Sequence, residues 1–148
     1  MQNFDPAAIQ SPRLRRFHGY WAGKMRGARL PSRADIDPVE FPWALGFVSL
    51  YDVGPDGEIR VRLDASGAVD FFGNDLTGLL LRAHPQPDFG AIMQRTLGGV
   101  VSARAPLVLQ REVELHARFW RYETLLLPFA ADGIAVDMIA SVLDYGKR

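Results

Sequence analysis

The sequence predicts an α+β domain built on antiparallel strands, and three observations carry that reading. In Leu107–Phe119, Leu107, Leu109, Val113, Leu115, Ala117 and Phe119 alternate with Val108, Gln110, Glu112, Glu114, His116 and Arg118. A period of two places one apolar and one largely polar face on a half-buried antiparallel strand, and Arg111 is the one odd member of the apolar row. Second, Glu123–Phe129 and Ile134–Leu143 follow as further strands, with Ala131-Asp132-Gly133 supplying hairpin chemistry between them. Third, Gly54-Pro55-Asp56-Gly57 joins Phe47–Val53 to the alternating Glu58–Leu63, which makes a first hairpin. The strands are expected at about 47–53, 58–64, 106–119, 122–130 and 134–144, with the first and last lying side by side.

Taken in order, residues 1–12 read as a loose arm and residues 13–148 as a single domain. A helix begins near Arg13, with Leu14, Phe17, Trp21 and Met25 at helical spacing, weakened by Gly19, Gly23 and Gly27. Asp37-Pro38-Val39-Glu40 predicts a short capped turn, with Asp37 as cap, Pro38 at the first position and Glu40 closing a capping box. Residues 64–87 hold short helical turns broken by Gly67, Gly73, Gly78, Pro85 and Pro87. Asp88 then caps a helix over Asp88–Ala103 that sets Phe89, Ile92, Met93, Leu97, Val100 and Val101 on one face.

Composition removes several function classes. The chain has 148 residues, 48% hydrophobic and 23% charged, in the range of a globule with a real core. There is no cysteine, so disulfides, thiolate nucleophiles and cysteine-held metals are excluded, as are cysteine-linked flavin adducts and thioester-linked chromophores. No signal-peptide core and no membrane-length apolar run is present, and a cytoplasmic location is expected. Residues 1–33 hold seven basic residues against Asp5 alone, a net +6 in a chain of zero net charge. Such asymmetry suits nucleic acid or an acidic partner. A basic helix face over an acidic body is favoured here, because no aromatic residues interleave the charges as a nucleic-acid groove requires.

Four stretches carry a family resemblance: Tyr20-Trp21; Leu30-Pro31-Ser32-Arg33-Ala34-Asp35-Ile36-Asp37-Pro38; Gly73-Asn74-Asp75-Leu76-Thr77-Gly78; and Leu125-Leu126-Leu127-Pro128-Phe129 leading to Asp132-Gly133. With them, and with the order β-β-α-α-α-β-β-β, the chain resembles a family of stand-alone bacterial PAS-like proteins over about residues 13–145. The resemblance implies a five-stranded antiparallel sheet, with helices crossing one face between its second and third strands. It also implies sensing or protein docking, with no defined reaction. One departure bears on the pocket entrance: where the family often has Gly-Thr after the second strand, this chain has Asp64-Ala65-Ser66-Gly67.

Candidate chemistry is sparse, and the chain reads as a non-catalytic module. His116 alternates onto the polar face of its strand, and His84, beside Pro85, reads as a loop residue before it reads as a haem ligand. Asp35 and Asp37 resemble paired carboxylates, but capping accounts for Asp37 and Arg33 is placed to pair with Asp35. Ser49, Ser66, Ser102 and Ser141 lack a nucleophile-elbow context, and no metal-spaced cluster appears. The rival enzyme reading, a small cone-shaped isomerase or hydrolase, needs an Asp or His projecting inward from the sheet, whereas the strand phases put these outward. What remains is a non-covalently held small ligand, lined by Phe71, Phe72, Met93, Leu97, Leu115, Leu127 and Met138, or an empty core.

The last strand is apolar on both faces, so it should be central and covered twice. The second cover is the N-terminal helix through Leu14, Phe17, Trp21 and Met25, docked on its own sheet or on a partner's. A homodimer with this helix in its interface is therefore expected, alongside a signalling-protein partner.

Overall fold

The computed structural model describes residues 4–147, the side chain of Lys147 excepted. Eight regular elements follow one another: α1 (Pro12–Gly23), β1 (Val48–Val53), β2 (Ile59–Leu63), α2 (Ser66–Phe72), α3 (Pro87–Ala103), β3 (Leu107–Leu115), β4 (Arg118–Phe129) and β5 (Met138–Lys147). The strands form one antiparallel five-stranded sheet in the order β2-β1-β5-β4-β3. The expected pairing of the first and last strands is present, with Ser49 opposite Ser141 and Leu50 opposite Ala140.

Register decides which residues share a face. Leu107 pairs with Leu126, Leu126 with Ser141, and Ser141 with Ser49. Odd residues of β1, β3 and β5 therefore lie on the same face as even residues of β4. α2, α3 and the segment between them cover that inner face, and α1 covers the other. Leu14 and Phe17 are fully buried and Trp21 nearly so. The indole Nε1–H of Trp21 donates to the Pro128 carbonyl at 2.9 Å. At about 1.5–3 kcal/mol per buried apolar side chain, these three contacts suffice to dock a glycine-weakened helix.

The start of α1 is locked by carboxylates of the sheet. Ser11 caps the helix, its Oγ accepting from the Leu14 N–H. The buried Glu123 carboxylate accepts from the backbone N–H groups of Gln10 and Ser11, at 2.9 and 2.7 Å, and from the Gln110 amide. Asp144 accepts from Ser11 Oγ and from Arg13, the latter at 2.9 Å. Residues 9–11, expected to belong to a loose arm, are thus docked, with Ile9 at 1% exposure.

Several expectations are corrected. The strand expected to run to Phe119 ends at Leu115, where His116 and Ala117 take φ of 52° and 62° and turn the chain in a two-residue hairpin. Neither residue is Gly, Asn or Asp, so the turn carries no sequence signal, and its backbone cost of about 1–2 kcal/mol per residue is offset by the paired ladder. β5 begins at Met138, not Ile134. The chain turns before it, because Asp132 Oδ1 accepts from the Ile134 and Ala135 N–H groups, and Ile134 stands 58% exposed. Asp37 caps as expected, accepting from the Val39 N–H, but Glu40 does not close a capping box. Its carboxylate accepts from Tyr20 Oη at 2.7 Å and Lys24 at 3.3 Å. Asp35 pairs with Arg26 at 3.2 Å and accepts from the Ser32 N–H; it does not pair with Arg33. His116 sits in the hairpin turn, not on a strand face.

Among the described residues, six of the seven basic side chains in 1–33 engage groups of the same chain, Arg33 being the exception. Besides Arg13, Lys24 and Arg26, Arg15 donates to the Ile9 carbonyl, Arg29 to that of Asp132, and Arg16 lies 4.2 Å over the Trp43 ring. The helix expected to dock on its own sheet or on a partner's packs on its own. Leu14, Phe17 and Trp21 are consumed by the chain's own sheet, and Met25 is half-buried beside them.

Glu123→Ala should lower the unfolding free energy by roughly 1.5–3 kcal/mol, because it leaves buried N–H donors without a charged acceptor. Urea denaturation measures it against Glu114→Ala, an exposed position expected within about 0.5 kcal/mol of the parent. Equal stability of the two variants would mean that Glu123 does not hold α1.

Candidate ligand-binding cavity

The inner face of the sheet does not fill with side chains. A cavity of about 430 Å³ lies between it and the helical layer, within the size range of small-molecule sites. Its floor is Leu109, Arg111, Val113 and Leu115 of β3, Tyr122, Thr124 and Leu126 of β4, Ser141 and Leu143 of β5, and Ser49 and Tyr51 of β1. Its roof is Phe72 from α2 with Phe89, Ile92, Met93, Thr96 and Leu97 from α3. Phe72, Phe89 and Ile92 keep 38–40% of their surface exposed, so an apolar rim faces solvent.

Two glycines let the pieces of the roof pack closely on their neighbours. A Cβ on Gly67 would lie 2.6 Å from the Phe47 ring and 2.8 Å from the Gly46 carbonyl. A Cβ on Gly90 would lie 2.6 Å from His84 Cβ and from the Leu81 carbonyl. Both sit where only a missing side chain permits the approach.

The polar groups of the cavity come largely from its edges. The Asp64 carboxylate accepts from the Leu76 N–H at 3.0 Å and from Ser49 Oγ at 3.4 Å. The Asp64 N–H donates to Thr77 Oγ1 at 3.0 Å, and the Ala65 N–H to Ser49 Oγ at 3.0 Å. The Asp64-Ala65-Ser66-Gly67 departure thereby ties β1 and β2 to the loop over Gly73–Gly78. Burial pushes the Asp64 carboxyl above the usual carboxylate range, with its backbone hydrogen bond acting against it. Burial likewise raises the Tyr51 and Tyr122 phenols, the latter opposed by the charge of Arg111. His84 is 8% exposed, its Nδ1 accepting from the Gln86 N–H at 2.9 Å and its ring 5.3 Å from Phe89. A neutral imidazole held this way carries its proton on Nε2.

Of the residues expected to line this space, Phe72, Met93, Leu97 and Leu115 are in its wall. Phe71 lies outside, stacked on Tyr145 at 4.3 Å and edge-on to Trp120 at 5.8 Å. Leu127 and Met138 have the opposite phase and are buried on the face that α1 covers. Sequence reasoning missed Ser49, Tyr51, Asp64 and Tyr122 as cavity groups. Arg111 was signalled as the break in an apolar row, and Asp64 only as part of the departure at the pocket entrance. An aspartate and a histidine do reach the cavity, but from connecting segments and not from the inward row of the sheet.

A match to known families decides where this architecture belongs: the PAS domain family matches residues 9–143. The chain belongs to the PAS domain family. As a PAS domain it falls in a family whose members are in general sensory and regulatory modules. Among solved structures it is similar to the PAS domain of BvgS from Bordetella pertussis, with 19% identity and a TM-score of 0.59 over 74% of this chain and 83% of that one. It is also similar to a PAS domain from Colwellia psychrerythraea, with 9% identity and a TM-score of 0.47 over 74% of this chain and 96% of that one. No match was found among curated proteins. The four stretches that carried the resemblance have structural work in this PAS domain. Trp21 holds Pro128, the Leu30 N–H donates to the Gly133 carbonyl at 3.0 Å, and the Ala130 N–H donates to that of Pro31 at 2.9 Å. Among the described residues, no helix is long and apolar enough to cross a membrane, and no group of three His, Cys, Asp or Glu side chains is placed to hold a metal.

The raised Asp64 carboxyl carries a signed pH dependence. A group whose folded pKa lies above its unfolded value contributes stability that is full below the unfolded value, about 3.9, and is lost as pH rises through the folded one. Relative to Asp64→Asn, the parent should therefore gain stability between pH 7 and pH 4. Urea midpoints of both proteins at the two pH values test this, and a pH-independent difference would show that Asp64 is not desolvated.

Proposed function

We propose that this PAS domain is a non-catalytic sensory module that holds a small molecule non-covalently in the cavity between α3 and the sheet and passes its occupancy to a signalling protein. The observation that carries the reading is the cavity itself: about 430 Å³, apolar on floor and roof, with few polar groups at its edges. A catalytic reading is less well supported. Asp64 and His84 are each held by a backbone donor, Leu76 N–H and Gln86 N–H respectively, which supports reading them as structural groups. The His84 bond also disfavours haem, since ligation through Nε2 requires the proton on Nδ1 and a donor bond from it.

Met93→Trp should fill the cavity and abolish ligand-induced stabilisation while leaving the fold intact. Native mass spectrometry of freshly purified protein should show an added mass that is released on denaturation and is missing from Met93→Trp. An absorbance spectrum should show no haem band. A loss of several kcal/mol in ligand-free Met93→Trp would instead show tightly packed core, where inserted volume is costly, and would overturn the reading.

A further inference from the structure

Resting on the cavity being a ligand site, we infer that it selects an anionic amphiphile: a monocarboxylate with an apolar body, its carboxylate paired with Arg111. The inference starts from the one residue that breaks the apolar row of β3. Arg111 stands between Leu109 and Val113 on the inner face, and all three line the cavity. Its cross-strand partner is Tyr122, whose phenol also lines the cavity. Among the described residues the Arg111 side chain, which is exposed, makes no ion pair and no hydrogen bond.

Its nearest acidic neighbours in sequence do not supply a partner. Glu112 and Glu114 have the opposite strand phase, and Glu112 lies 3.6 Å from Arg121 on the outer side. Glu123 is across the sheet and engaged with the start of α1. The carboxylate within the cavity, Asp64, is held by Leu76 and Ser49 at the β1–β2 end. Arg111 sits instead on the edge strand at the far side of the sheet. A guanidinium is always charged and offers five donors in a fork that fits a carboxylate in bidentate fashion. The Tyr122 hydroxyl is a further donor beside it. From this polar corner the wall runs apolar through Leu109, Leu126, Met93 and Leu97, which fits a hydrocarbon or aromatic body. A neutral hydrophobe fits the wall equally well but leaves the exposed guanidinium to water, whereas a carboxylate pairs with it, so the charge favours the anion.

The test uses the whole chain with octanoate, 1-octanol and octylamine as probes of equal length, read by titration calorimetry and melting temperature. Octanoate should bind about three- to fivefold more tightly than 1-octanol, and the preference should weaken with added salt. Arg111→Gln should abolish that preference while 1-octanol binds as before, and Met93→Trp should abolish binding of both. Equal binding of octanoate and 1-octanol by the parent would overturn anion selection and leave the cavity reading standing. So would tightest binding of octylamine, which would put the selecting charge on Asp64. A preference that survives in Arg111→Gln would overturn the assignment to Arg111. Failure of all three probes to bind, with Met93→Trp as stable as the parent, would overturn the inference and leave the cavity reading to the native mass measurement. Probe binding that is unchanged in Met93→Trp would instead place the ligands elsewhere and overturn both readings.

Discussion

The central strand must be covered on both faces, and the rest of the structure follows from that constraint. In β5, Ile139, Ala140 and Val142 are fully buried, and Met138 and Leu143 are nearly so. Successive residues of a strand point to opposite faces, so no single layer of helices hides them all. One face takes α2, α3 and their connection. The other takes α1 and the segment that wraps from it toward β1. A strand of this composition at a sheet edge would expose apolar backbone-rich surface; in the middle, it organises both layers.

The outer cover is held in place by specificity more than by area. Leu14, Phe17 and Trp21 supply the burial, but Glu123 and Asp144 fix where the helix begins, and the Trp21–Pro128 bond fixes how it lies. Charge-assisted hydrogen bonds to backbone N–H groups are short and directional, which greasy contacts are not. Further along, Leu30 and Pro31 pair with the turn after β4, so residues distant in sequence close the same face. Within the chain, α1 covers this face with Leu14, Phe17 and Trp21.

The inner cover is different in kind. It is built from short helical turns and a long helix, packed closely where Gly67 meets the turn before β1 and Gly90 meets the Leu81–His84 turn. A layer assembled from such pieces bridges over the middle of the sheet, and the space beneath it remains. Its edge groups are organised by Asp64, which joins Ser49 on the sheet to the Leu76 and Thr77 backbone and side chain. The same residue that closes the loop is thereby desolvated.

Local sequence determined the elements whose pattern is short-ranged. The alternation of β3, the helical spacing of α1 and α3, the Gly54–Gly57 turn and the doubly apolar last strand are each legible within about ten to fifteen residues, the span over which period and turn chemistry act. Even Arg111 was visible there, as the odd member of its row. Tertiary structure alone decided what depended on register. Leu125–Phe129 is apolar at every position, so alternation cannot say that Leu126 faces the cavity and Leu127 the helix; the pairing of Leu107 with Leu126 says so. The turn at His116 and Ala117 was hidden because those residue types carry no turn signal, and only the ladder between β3 and β4 imposes it. Asp64 and His84 reach the cavity through contacts with Leu76 and Gln86 in loops whose course no local pattern encodes. A period of two names two faces, and only the packing of the whole chain names what each face meets.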